Sequence, residues 1–156
     1  MDGFDYLNGL QSFRDGLFYV QDISSMLVAQ TAAPKKGDYV IDVCAAPGGK
    51  STHIAELLQG SGHVLARDLT DNKVDMIEEN IERHGLNNMS AEVWDATVFD
   101  ADSAGKADIL ICDLPCSGLG VLGRKKDIRY KMTPESVDEL AALQRQILDT
   151  VHTYVK

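Results

Sequence analysis

Four short apolar runs, each closing on an aspartate, set the architecture open to this chain. They are Tyr39-Val40-Ile41 before Asp42, Gly62 through Asp68, Ser90-Ala91-Glu92-Val93-Trp94 before Asp95, and Ala107-Asp108-Ile109-Leu110-Ile111-Cys112 before Asp113. Their length and β-forming composition read as buried strands. Between the first two, Ser51 to Leu58 carries apolar residues at helical spacing. After the second, Thr70 or Asp71 caps a helix through His84, with Val74, Ile77 and Ile81 inward and Gly85 closing it. Alternating strand and helix predicts an α/β fold with a parallel sheet. The fourth run is almost wholly apolar, which predicts a central strand. Asp42, Asp68, Asp95 and Asp113 then gather at the carboxyl edge of the sheet, where open α/β folds hold ligands.

The 156 residues fit one domain. Residues 1–19 read as irregular. A helix is predicted from Gln21 or Asp22 to Ala33, ended by Pro34, with Ile23, Met26, Leu27 and Gln30 on one face. Residues 114–133 form a long loop, usually functional in a compact domain. Thr133 caps and Pro134 opens the last helix, whose predicted face is Val137, Leu140, Ala141, Gln144, Ile147, Leu148 and Val151. No apolar run is long enough to cross a membrane, and the acidic opening Met1-Asp2-Gly3 is no signal peptide. Cys44, Cys112 and Cys116 are odd in number and form no Cys-x-x-Cys pair. This argues against a disulfide framework or a metal site, and a reducing cytoplasm is expected. The net charge of -9 argues against a nucleic-acid partner. Against that, Arg124 to Lys131 holds five cations and one anion, and Arg124, Lys125 and Lys126 read either as a solvated loop or as an RNA contact.

The stretch Asp42-Val43-Cys44-Ala45-Ala46-Pro47-Gly48-Gly49-Lys50-Ser51 joins the first strand to its helix. Small residues let the backbone approach a ligand, and the helix N-terminus behind them offers free N–H groups. Two ligands compete. Gly49-Lys50-Ser51 matches the end of a phosphate-binding loop, but Cys44 stands at its first glycine and Pro47 removes an N–H. The other reading is a nucleoside cofactor, with Asp68 accepting ribose hydroxyls from the end of the second strand. Four acids repel a polyanion and favour a cationic cofactor, which points to S-adenosyl-L-methionine.

The same loop, together with Asp113-Leu114-Pro115-Cys116-Ser117-Gly118, resembles the RNA (cytosine-5)-methyltransferases of the NOL1/NOP2/Sun family. Gly118 to Val121, Asp127-Ile128-Arg129-Tyr130 and Leu140-Ala141-Ala142-Leu143-Gln144 are most similar to its bacterial B group (Sun/Fmu type), which acts on 16S ribosomal RNA. The resemblance covers the chain from about Gly16 onward. It implies a Rossmann-like class I S-adenosylmethionine-dependent methyltransferase fold. It implies that Cys44, Ala45, Ala46, Pro47, Gly48, Gly49 and Lys50 wrap the methionine moiety, and that Asp68 holds the ribose. Asp95 would lie by the adenine amino group, and Asp113 would face both cofactor and target base.

Cytosine C5 is a poor nucleophile until a thiolate adds at C6. Read alone, Cys116 beside the fourth strand would be that nucleophile. The resemblance implies instead that a later Thr-Cys motif attacks and that Cys116 assists product release. No cysteine follows Cys116 in this sequence. The expectation is therefore a C-terminally truncated, partial methyltransferase domain over residues 1–156. The family's N-terminal RNA-binding domain and last strands would lie outside it. Such a piece keeps the cofactor motifs, is itself inactive, and exposes apolar faces that drive self-association.

Overall fold

The computed structural model describes residues 6–121, 123, 130 and 132–156. Four parallel strands form one sheet in the order β3-β2-β1-β4, with β1 at Tyr39–Asp42, β2 at His63–Asp68, β3 at Met89–Val93 and β4 at Ile109–Ile111. The helices are α1 (Gln11–Arg14), α2 (Ile23–Ala32), α3 (Gly49–Leu57), α4 (Asp71–His84) and α5 (Pro134–Val151).

Alternation along the strands builds two cores. Val40, Val64 and Ala66 face α2, α3 and α4, where Ala29, Ile54, Leu58 and Ile77 are fully buried. Burying side chains such as Ile54 and Leu58 contributes about 1.5–3 kcal/mol each. Ile41 and Val43 face the other way, onto Ile147 and Val151 of α5 and onto Tyr154. Gly48 turns the chain into α3 at a φ of 100°, a left-handed conformation that side chains rarely adopt, with Ile77 of α4 packed beside it. Thr133 and Ser136 cap α5 reciprocally, the Ser136 N–H donating to Thr133 Oγ1 at 3.2 Å and the Thr133 N–H to Ser136 Oγ at 2.8 Å.

Four expectations need correction. β4 is an edge strand among the described residues, paired only with β1 in the sheet. Its apolar character reflects cover on both faces, with Ile109 and Ile111 in one core and Leu110 in the other, rather than neighbours on both sides. The face of α2 is rotated: Ala29 is buried, with Val28 and Ala32 beside it, while Ile23 and Leu27 are 77% and 52% exposed. On α5 the inward residues are Leu143, Ile147 and Val151, and Leu148 points outward. The N-terminal segment, expected to be irregular, carries a 3-10 turn at Leu7–Gly9 and α1. The Arg83 guanidinium lies 4.1 Å from the Phe13 ring and docks that segment on α4. Among the described residues no helix is long and apolar enough to cross a membrane.

Candidate cofactor site

A cavity of about 320 Å³ opens at the carboxyl edge of the sheet. Every strand contributes to it. Cys44 and Ala46 come from the loop after β1, Asp68 from the end of β2, Trp94 to Thr97 from beyond β3, and Asp113 to Cys116 from beyond β4. Lys73 of α4 and Leu143 and Ile147 of α5 close its sides. Gln144 Nε2 donates to the Pro115 carbonyl at 2.7 Å, which ties the Pro115-Cys116 turn to α5.

The loop after β1 is divided between surfaces. The Ala45 N–H donates to the Arg67 carbonyl at 2.8 Å, and the Gly48 N–H to the Ala45 carbonyl at 2.7 Å. Pro47 and Gly49 face a second cavity of about 210 Å³ behind the loop, against α4 and the N-terminal segment. Lys50 turns to a third cleft beside Cys112 and pairs through Nζ with Asp113 Oδ2 at 2.5 Å. Of the residues expected to wrap one ligand, the structure thus brings Cys44 and Ala46 into the main cavity. It places Pro47, Gly49 and Lys50 elsewhere.

The four aspartates also separate. Asp68 is 3% exposed yet lines the cavity. Its Oδ2 accepts the Ala46 N–H at 2.9 Å, and its Oδ1 accepts the Leu69 N–H and Lys73 Nζ, each at 2.8 Å. A carboxylate offers about four acceptor positions, so about one remains for a ligand hydroxyl. Asp95 is exposed, and its Oδ1 accepts the Thr97 hydroxyl at 2.7 Å and the Thr97 N–H at 2.9 Å. Those bonds hold its carboxyl below the ordinary range. Asp113 lines the cavity, is exposed, and pairs with Lys50 from the neighbouring cleft. Asp42 does not reach the cavity. It is 1% exposed and its Oδ2 accepts the Ser51 hydroxyl at 2.6 Å, so it anchors α3. Burial pushes its carboxyl up to about 6, against the Ser51 bond.

Burial raises the Cys44 thiol to about 12, with Asp68 and Asp42 adding to it, and raises Cys112 to about 11. Both are neutral thiols at physiological pH. Cys116 is exposed at the cavity wall. Arg124, Lys125 and Lys126 lie outside the described residues. Among those described, no three metal-ligating side chains cluster.

Sequence reasoning missed Lys73, Trp94, Thr97 and the α5 side chains Leu143 and Ile147 as cavity residues. Lys73 follows Asp68 by five residues, one turn into the helix, and that spacing was a usable signal. Trp94 and Thr97 flank an expected site residue. Ile147 reads equally well as core.

The architecture is the Rossmann-like fold of S-adenosylmethionine-dependent methyltransferases. The 16S rRNA methyltransferase RsmB/F family model matches residues 29–156, and the chain belongs to that family. A probable ribosomal RNA small subunit methyltransferase B of Bacillus subtilis is 42% identical over 149 residues, covering 95% of this chain and 33% of that protein. A tRNA (cytosine(72)-C(5))-methyltransferase of Pyrococcus horikoshii is 39% identical over 142 residues, covering 91% of this chain and 36% of that protein. The crystal structure of NSun6 from Pyrococcus horikoshii with SFG superposes with a TM-score of 0.87 at 36% identity, over 98% of this chain and 39% of that one. The chain spans about a third of the length of these relatives.

Proposed function

We propose that this chain is the S-adenosyl-L-methionine-binding part of an RNA (cytosine-5)-methyltransferase, and that the whole protein methylates cytosine C5 in 16S ribosomal RNA. The observation that carries this reading is one cavity joining the loop after β1, three carboxylates and the Pro115-Cys116 turn. Asp68, Asp95 and Asp113 outnumber Lys73 on its lining, so the cavity suits a cation better than a polyphosphate. Bound there, S-adenosylmethionine supplies an electrophilic methyl group on a sulfonium. Asp68 offers its remaining acceptor to the ribose, and Asp95 Oδ2 accepts from the adenine amino group. Asp113, paired with Lys50 of the neighbouring cleft, stands where a target base enters. Ala45 and Ala46 have their N–H groups bonded within the protein, so the loop is a shaped wall rather than a donor cradle.

Cys116 assists release of the methylated product in this reading. The attacking thiolate belongs to a Thr-Cys motif, and no Thr-Cys pair occurs in the 156 residues. The chain alone therefore binds cofactor without turnover. Names among the relatives cover both ribosomal and transfer RNA, so 16S ribosomal RNA is the finer part of the proposal, supported by the family model and the B. subtilis relative. Arg124, Lys125 and Lys126 contact the RNA backbone in the whole protein, and neutralising them flattens the salt dependence of RNA binding.

A phosphate-binding loop is disfavoured by the same bonds. The N–H groups of Ala45, Ala46 and Gly48 are already engaged, and the Ser51 hydroxyl that would meet magnesium is committed to Asp42. Calorimetric titration with S-adenosylmethionine and with ATP–magnesium separates the readings. The expected result is heat with the first alone, weakened at least tenfold in Asp68→Ala. Heat with ATP alone would overturn the proposal.

A further inference from the structure

Arg67 is 4% exposed at the carboxyl end of β2, directly across from Glu92 of β3. Its side chain leaves the sheet on the side away from α3 and α4, where the segment 94–106 folds over β2 and β3. The guanidinium is the fastening. Nε donates to Glu92 Oε1 at 2.6 Å, Nη1 to Ser103 Oγ at 3.0 Å and Nη2 to Asp100 Oδ2 at 2.7 Å. Its carbon lies 4.9 Å from the centroid of the Trp94 ring. Asp100 extends the hold: its oxygens also accept from the Ser103 hydroxyl at 2.6 Å and the Asp102 N–H at 2.9 Å, and its own N–H donates to the Tyr154 hydroxyl at 2.9 Å.

The main chain of the same residue works on the opposite wall. The Arg67 carbonyl accepts the Ala45 N–H at 2.8 Å, between the cavity residues Cys44 and Ala46. One residue thus ties down both the loop after β1 and the segment bearing Trp94, Asp95 and Thr97. A guanidinium is suited to this because three of its donors point in fixed, divergent directions; an ammonium concentrates the charge and cannot span the same partners.

We propose that Arg67 is a positioning residue that sets the wall against the cofactor's purine, and so its selectivity for adenine. The inference rests on the cofactor reading above. Arg67 does not touch the ligand. It acts through Trp94 and the Asp95 turn, and displacement of that segment weakens recognition of the exocyclic amino group.

Trp94 is the only tryptophan in the sequence, so its emission reports this wall specifically. The test compares the chain with Arg67→Lys. Emission and acrylamide quenching of Trp94 are read without ligand. Affinity is then measured for S-adenosylhomocysteine and for its 6-oxo counterpart, S-inosylhomocysteine. The unaltered chain is expected to prefer the amino form at least tenfold. Arg67→Lys is expected to red-shift Trp94, quench more readily, and bring the two affinities within threefold. A purely structural role lowers the melting temperature and weakens both ligands equally; unchanged discrimination in a folded variant overturns the inference alone. Binding of neither ligand by the unaltered chain overturns the cofactor reading and the inference with it. Where Arg67→Lys does not fold, Ser103→Ala removes one fastening and keeps the charge, and at least a threefold loss of discrimination is expected.

Discussion

Asp42 carries a carboxylate into a place where its charge is costly. Its pKa is raised from an ordinary 3.8 to about 6 by burial. A carboxyl raised on folding gives its full stability below about pH 4 and loses it as pH climbs through about 6. Asp42→Asn removes that loss. Melting of the variant from pH 4 to 7.5 should show an advantage over the unaltered chain that grows with pH, reaching on the order of 2–3 kcal/mol. Equal pH slopes would show the charge to be tolerated. The thiols diverge in the same way. Iodoacetamide at pH 8, followed by peptide mapping, should label exposed Cys116 well before Cys44, whose thiol is raised to about 12. At this scale the sequence exposed from its pattern alone that Asp42 and Asp68 close β1 and β2, whereas Asp95 and Asp113 lie two residues past the ends of β3 and β4. It did not expose which way each faces. Asp42 and Asp68 both close strands, yet one reaches Ser51 and the other the cavity. The choice depends on the loop's path after β1.

Elements were legible where one face alone is buried. Val74 and Ile77 of α4 sit where their spacing predicts, because polar residues mark the opposite side. α2 gave no such contrast: apolar residues surround it, so periodicity could not choose between Ile23–Leu27 and Val28–Ala29–Ala32. β4 was placed centrally because strand composition records what covers the faces and is silent about the edges. The start of α5 was fully legible, since Thr133 and Pro134 are local signals. Thr133→Ala should cost about 1 kcal/mol in a denaturant titration, with Thr133→Ser restoring most of it. Gly16 has a φ of 68° and packs so close to the Arg83 carbonyl that a Cβ has no room. Gly16→Ala should undock the N-terminal segment, read as faster proteolysis before Val20 with the sheet intact.

At the scale of the molecule, among the described residues β4 has no strand partner on its outer side beyond the Ala107–Val155 bridge, and Ile23 and Leu27 are exposed, so association of copies is the expected outcome. Sedimentation velocity across a hundredfold range of concentration should show reversible oligomers, and Leu27→Lys should reduce them. A concentration-independent monomer would refute this. The sheet order also dictates a timetable. The links within β1, β2 and β3 close short stretches of chain: Ala46 meets Asp68 across 22 residues and Arg67 meets Glu92 across 25. The link to β4 is far longer, with the Tyr39 N–H reaching Asp108 across 69 residues. Longer loops close later and at greater entropic cost. Two amides in one turn should record the interval. Ala45 is protected by Arg67 and Val43 by Ile111. Pulsed hydrogen exchange during refolding should shield Ala45 first and Val43 afterwards. The wall bearing Asp113 and Cys116 arrives with the second event, so a nascent chain passes through a stage with the Asp68 side of the cavity assembled and the side after β4 still open.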